Sequence, residues 1–225
     1  CSSGRVSSAN TCSRLPLAAR AMAARGVVEV YDAGALAFPG VVDLGLDFGR
    51  YLGLLVRADS VEPLPVRVNL MIPAPSRLAD SLLTDSTAAL GWSPRLRITH
   101  LKLFADGALG SRGAALTHRY ADDAGTEGVP RMTTGEIAAL ARRALDRGLA
   151  VATHAIGDRA VARTLDAYQQ ILRERPDLDR NRLRIEHFSY VGEDDFARAV
   201  GLGVVLSVQS NFNALPADEP TFGAL

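Results

Sequence analysis

Lysine is all but missing from this 225-residue sequence. Of its 25 lysine and arginine residues, all but Lys102 are arginine, and Lys102 stands inside an apolar, strand-like run, Arg97-Ile98-Thr99-His100-Leu101-Lys102-Leu103-Phe104. A guanidinium stays charged in every protein environment, whereas an ammonium can shift its pKa far enough on burial to become a nucleophile, a base or a modified ligand. The position reads either as one that needs an amine able to lose its proton, or as a chance survivor that snorkels to solvent.

Cysteine is scarce too. Cys1 and Cys12 are the only two, both in the polar N-terminal segment and away from every motif below. That excludes a disulfide framework and leaves them as incidental free thiols. An excess of one charge is also lacking: 25 acidic residues balance 25 basic ones. No basic surface for nucleic acid or anionic membrane is implied, so the expected partners are small molecules. No run approaches the ~18 apolar residues of a membrane span, and residues 1–14 lack the apolar stretch of a signal peptide. The default expectation is a soluble, cytoplasmic protein, with self-association left open. The chain opens on Cys1 rather than methionine and stops at Thr221-Phe222-Gly223-Ala224-Leu225 without a closing element, which reads as a piece of a longer chain.

Residues 1–14, rich in Ser, Asn and Thr, read as a disordered lead-in, and 15–225 as one incomplete barrel domain. Leu15 to Arg25 has helical spacing with Gly26 as its C-terminal glycine. Val27 to Tyr31 reads as a strand turned by Asp32-Ala33-Gly34, Leu44 to Ala58 as a helix, and Val66 to Ile72 as a second strand. Ser76 caps a helix predicted to reach Leu90, and Arg97 to Phe104 is the third strand. Asp106 to Met132 has no periodicity and five glycines, so a long and therefore functional loop is expected there. Thr133 and Glu136 have capping-box spacing at the head of a helix to Arg147. Leu149 to Ala155, Leu183 to Phe188 and Val204 to Gln209 complete six strands, separated by helices over Asp158–Arg175 and Glu193–Leu202. This alternation implies a parallel sheet covered by helices.

Lys102, His154 and His187 fall near the C-terminal ends of the third, fourth and fifth strands. In a (β/α) barrel those ends form the face on which active sites are built. Two histidines and a lysine from neighbouring parallel strands would converge there, which is one way to assemble nitrogen ligands for a divalent metal.

Lys102-Leu103-Phe104-Ala105-Asp106-Gly107-Ala108-Leu109-Gly110-Ser111-Arg112, then His154-Ala155-Ile156-Gly157-Asp158-Arg159-Ala160-Val161, then Arg184-Ile185-Glu186-His187 and Ser207-Val208-Gln209 resemble the amidohydrolase superfamily. The branch is amidohydrolase family 3, the YtcJ-like group related to N-substituted formamide deformylases. The resemblance runs from about Leu15 to Gln209. It implies a partial TIM (β/α)8 barrel, about strands 2 to 7, lacking the first and eighth strands and an accessory β-sandwich. It further implies a metal-dependent hydrolase of small amides, formamides or cyclic imides, with one or two zinc ions held by Lys102, His154 and His187. Lys102 is then expected to be carboxylated by CO2 and to bridge the ions, and a metal-bound hydroxide to attack the carbonyl carbon. Asp106, Arg112 and Gln209 are the expected substrate contacts, although a turn-forming aspartate and a surface arginine explain the first two nearly as well. The family's first-strand His-x-His and eighth-strand aspartate have no counterparts in the chain, which predicts that it is catalytically incomplete alone.

Plainer readings accompany several residues. Asp158 reads as an N-cap, His100 as an interior side chain on the same strand face as Lys102, and His118 as a solvated loop residue. Glu186 is expected to point away from the barrel interior if His187 points in. A competing functional class is a metal-free anion-binding barrel using Gly107, Gly110 and Gly113 as a backbone cradle, or a non-catalytic fragment.

Overall fold

The computed structural model describes residues 8–33 and 48–210. The chain divides into two compact units, Cys1–His100 and Leu101–Leu225.

The first unit contains α1 (Ser8–Ala23), β1 (Glu29–Asp32), α2 (Phe48–Val61), β2 (Arg67–Pro73), α3 (Arg77–Thr84), a short β3 (Gly91–Ser93) and the opening residues of β4 (Leu96–Phe104). β1 and β2 pair in parallel, with Val30 opposite Val68. The helix expected from Leu15 begins at Ser8 instead. Ser, Asn and Thr are only mildly unfavourable in a helix, so their polarity does not by itself mean disorder. Residues 1–7, and Leu44 to Asp47 of the next predicted helix, lie outside the described residues. Gly26 adopts φ +84°, and the N–H of Val27 donates back to the Met22 carbonyl, satisfying an end carbonyl of α1.

Ser76 caps α3 as its spacing suggests, its Oγ accepting from the N–H of Ala79 at 3.1 Å. The helix stops at Thr84, six residues before Leu90. Asp85 turns the chain there: its carboxylate accepts from the N–H and Oγ1 of Thr87, offering the backbone an alternative to another helical turn. Gly91, the residue after the predicted helix end, starts β3, and β3 pairs antiparallel with β4, Gly91 opposite Arg97.

The second unit holds the end of β4, α4 (Thr134–Asp146), β5 (Ala150–Ala155), α5 (Asp158–Glu174), β6 (Leu183–His187), α6 (Glu193–Leu202) and β7 (Val205–Ser207). β5, β6 and β7 pair in parallel, joined by helical crossovers as parallel strands require. The sheet order is β1-β2-β4-β5-β6-β7, with β3 beside β4. Strands that follow one another in sequence order, each separated by a helix, are the succession found in part of a (β/α)8 barrel. Leu101, Leu103, Val151, Leu183 and Ile185 are fully buried, as are Ile137, Ala141, Ala144, Leu165 and Ile171 of the covering helices. The residues alternating with those on β4 and β6 carry the chemistry.

Both halves of the capping box form: Thr133 Oγ1 accepts from the N–H of Glu136, and the Glu136 carboxylate accepts from the N–H of Thr133. α5 is capped by Gly157 rather than Asp158. Asp158 is the first helical residue, and its carboxylate is engaged by the N–H and hydroxyl of Thr117 and by its neighbour Arg159 N–H.

Candidate functional site

Side chains alternate across a strand, so in a parallel register residues directly opposite share a face. His154 lies opposite Glu186, and Ala152 opposite Arg184. Arg184 and Glu186 therefore stand on the His154 face, with Leu183 and Ile185 turned the other way. Lys102 belongs to this polar group through its electrostatic interaction with both Glu186 and Arg184. It is 2% exposed, which decides between the two readings of the lone lysine: it does not snorkel. Burial pulls its amine pKa down to about 8; Glu186 opposes that shift and Arg184 adds to it. The Nζ also stands 5.3 Å from the centre of the Phe104 ring.

Glu186 is thus not on the far side, as alternation from an inward His187 had suggested. It is buried, and Arg184 Nε donates to its Oε1 at 2.5 Å while Arg184 Nη2 donates to Ser207 Oγ at 2.8 Å. Burial raises the Glu186 pKa, but Lys102, Ser207 and Arg184 together outweigh that and hold it low. Alternation fails at His187 because the strand ends in a left-handed turn, with φ +77° at His187 and +48° at Phe188. Neither residue is glycine, and such a conformation costs about 1–3 kcal/mol. The turn brings the His187 ring to 4.5 Å from that of His154, edge to face.

The proton on each ring follows from its neighbours. His187 Nδ1 lies 2.6 Å from Gln209 Oε1, an acceptor, so Nδ1 donates and Nε2 keeps its lone pair. Burial is the largest cause lowering the His187 pKa, and the nearness of His154 adds to it. His154 Nε2 lies 3.2 Å from the Gly107 carbonyl and 3.3 Å from Asp106 Oδ1. Both are acceptors, so here Nε2 donates, and in the neutral ring the lone pair sits on Nδ1.

The three residues anticipated as substrate contacts each have partners within the chain. Asp106 is fully buried, its carboxylate taken up by the backbone N–H groups of Ala115, Ile156 and Gly157. Arg112 forms an exposed ion pair with Asp122 inside its own loop. Gln209 spends its amide on His187 and on the Ser207 carbonyl. The loop from Asp106 to Met132 is fastened down rather than open: a Cβ on Gly157 would fall 2.1 Å from the Ala115 carbonyl oxygen, and one on Gly128 1.8 Å from that of Ala114. His118 donates from Nδ1 to the Arg119 carbonyl and accepts from the Tyr190 hydroxyl at 2.8 Å, so it ties that loop to the turn after β6. In the first unit, His100 is buried, with Thr99 Oγ1 at 2.8 Å and Tyr31 edge-on to its ring.

Among the described residues, no group of three or more His, Cys, Asp or Glu side chains is arranged to hold a metal ion. The candidate set consists of two histidines and Lys102, and lysine is what sets it apart from an ordinary ligand cluster.

The amidohydrolase-family profile matches residues 20–223. The chain belongs to the amidohydrolase family. It is 34% identical over 187 residues to "Protein LONG AFTER FAR-RED 3" of Arabidopsis thaliana, covering 82% of the chain and 31% of that protein. To "Putative amidohydrolase YtcJ" of Bacillus subtilis (strain 168) it is 34% identical over 121 residues, 54% of the chain and 22% of that protein. Among solved structures, an uncharacterized metal-dependent hydrolase from Pyrococcus horikoshii OT3 superposes with a TM-score of 0.71 at 27% identity, covering 92% of the chain and 38% of its own length. The amidohydrolase chain therefore spans less than a third of the curated relatives it matches. Among its described residues no helix is long and apolar enough to cross a membrane.

Proposed function

We propose that this amidohydrolase chain carries part of the metal site of a metal-dependent hydrolase that cleaves carbon–nitrogen bonds other than peptide bonds in a small amide, formamide or cyclic imide. The observation that carries the reading is the buried Lys102, with its pKa lowered to about 8, in one polar group with two imidazoles 4.5 Å apart. Family membership and the metal-dependent hydrolase from Pyrococcus horikoshii OT3 support it.

The residues fit a divalent ion such as zinc. In their neutral forms the two imidazoles would present lone pairs from Nδ1 of His154 and Nε2 of His187, and nitrogen donors of this kind suit zinc. Lys102 would complete the set. As a neutral amine it can add to CO2: its nitrogen lone pair forms the N–C bond, one C=O pair moves to oxygen, and an N–H proton leaves, giving an anionic oxygen ligand that arginine cannot supply. A divalent ion held there would lower the pKa of bound water toward neutrality and polarise a substrate carbonyl. Gln209 orients His187, and the Asp106–Gly107 pair orients His154. Arg184 shares the Glu186 carboxylate, which limits how strongly Glu186 holds Lys102 as an ammonium.

The anion-cradle alternative is disfavoured. The N–H of Gly107 donates to the Gly113 carbonyl at 2.9 Å, and that of Gly113 to the Ala108 carbonyl at 2.8 Å, so neither points at a ligand. Zinc titration of the 225-residue chain, read by calorimetry and by elemental analysis after gel filtration, tests the proposal. Retained zinc in the wild type and its loss in Lys102→Arg are expected. Equal zinc in wild type and Lys102→Ala would refute the assignment of Lys102.

A further inference from the structure

Among the described residues no charged side chain is more completely enclosed than Asp106. Its Oδ2 accepts from the N–H of Ala115 at 3.0 Å and of Gly157 at 2.8 Å, and its Oδ1 from the N–H of Ile156 at 3.1 Å. Ala115 lies in the loop after β4; Ile156 and Gly157 form the turn between β5 and α5. One carboxylate thus fastens the loop to the end of the strand that carries His154. The same Oδ1 stands 3.3 Å from His154 Nε2, and the carbonyl of the next residue, Gly107, stands 3.2 Å from it. That carbonyl is held in place because Gly107 and Gly113 pack backbone to backbone: a Cβ on Gly107 would come within 3.1 Å of Gly113 Cα.

We infer that Asp106 is a positioning residue that selects the Nε2-protonated tautomer of His154. A carboxylate and a carbonyl both only accept, so two acceptors converging on Nε2 require a proton there, and in the neutral ring the lone pair is then fixed on Nδ1. Burial and the three N–H donors keep the carboxylate in place, so the selection is built into the loop's anchoring. The consequence for metal binding rests on the reading of His154 as a ligand; the tautomer itself does not.

Asp106→Asn discriminates this role from plain anchoring. An asparagine whose oxygen serves Ala115 and Gly157 must turn its NH2 toward Ile156 and His154, and a donor facing Nε2 favours the opposite tautomer. The experiment is long-range imidazole 1H–15N spectroscopy of the 225-residue chain in buffer stripped of divalent ions, at about pH 8, where an ordinary imidazole is neutral. The His154 signals are assigned by their loss in His154→Gln. The wild type is expected to show Nε2–H at His154 as nearly the whole population, and Asp106→Asn a shift to mainly Nδ1–H. Thr117→Val, which removes the hydroxyl contact between the same loop and Asp158, is the control and should lower the melting temperature without moving the His154 tautomer.

The inference is overturned if wild-type His154 is protonated on Nδ1, if folded Asp106→Asn keeps the wild-type pattern, or if Thr117→Val shifts it equally. Should Asp106→Asn fail to fold, the wild-type and Thr117→Val spectra decide. In a parallel zinc titration, Asp106→Asn should bind about 10- to 100-fold more weakly, as changes to groups that orient a ligand usually do. If the tautomers behave as stated while the wild type takes up no zinc, the metal reading falls and the positioning role stands.

Discussion

At the scale of single residues, the account turns on Lys102 being an amine in a place where ammonium is disfavoured. Its folded pKa, about 8, lies below the ordinary 10.5. Between those values the unfolded chain binds a proton that the folded chain does not, so Lys102 makes stability rise with pH. Urea midpoints of the metal-free chain measured from about pH 7.5 to pH 9, below the range where unfolded tyrosines ionise, should show this rise, and Lys102→Met should flatten it. A wild-type curve that falls between about pH 7.5 and pH 9 would contradict the burial of Lys102. Gln209 gives a second residue-scale prediction. Gln209→Leu removes the acceptor that fixes the His187 Nδ1 proton, and zinc affinity should drop by about 10- to 100-fold, with no comparable loss in Ser210→Ala.

Residue identity was readable in part, and the failures have physical causes. A lone lysine among arginines, and histidines at strand ends, can be seen in a sequence. The side on which Glu186 and His187 fall could not, because alternation was assumed to persist and the positive φ at His187 and Phe188 carries no glycine to announce it. Asp106 precedes a glycine and resembles a turn residue. Its burial depends on N–H donors 9 to 51 positions away, which no local pattern contains.

At the scale of elements, the loop from Asp106 to Met132 and the capped helix that follows are the features open to test. Thr133→Ala should destabilise the chain by about 1 kcal/mol through loss of the N-cap, and Thr133→Ser should recover most of it. Gly157→Ala should cost more. Its Cβ would press on the Ala115 carbonyl while Asp106 still holds the Gly157 N–H, so we expect about 2–4 kcal/mol from overpacking in a site that cannot give. Denaturant unfolding measures both, and a Gly157→Ala variant as stable as wild type would mean the loop is not clamped. The long elements were readable because their signals are redundant: helical spacing and a following glycine agree for α4 and α6, and a capping box joins them for α4. α3 was read too long because a local side-chain turn at Asp85 competes with helix spacing. β3 was missed because three residues, Gly91 to Ser93, are too short to show a period.

For the whole molecule, the formal net charge is zero, and the ionic pairs of the second unit are local. Arg142 with Glu174, Arg175 with Asp146 and Arg198 with Asp166 join neighbouring helices of the second unit. Glu62 beside Arg20, Glu127 beside Arg159 and Glu174 beside Arg142 are held below the ordinary glutamate value of 4.5 by those hydrogen-bonded partners. A depressed carboxylate stabilises the fold above its unfolded pKa and loses that contribution as pH falls through the folded one. Stability should therefore decline from about pH 5 toward pH 3. Because the pairs are exposed, the decline should shrink in ~1 M salt, where the screening length is about 3 Å. The order of strands and helices was the most readable feature at this scale, since each unit repeats the same alternation. Membership of the amidohydrolase family rests on motifs spread over most of the chain.

If Lys102, His154 and His187 form one metal site, zinc X-ray absorption on the zinc-loaded 225-residue chain will report their donor atoms. The account predicts nearest neighbours that are nitrogen and oxygen only, at about 2.0–2.1 Å, with imidazole scattering that disappears when His154 and His187 are both changed to alanine. Sulfur scattering at about 2.3 Å, or an unchanged spectrum in the double variant, would contradict it.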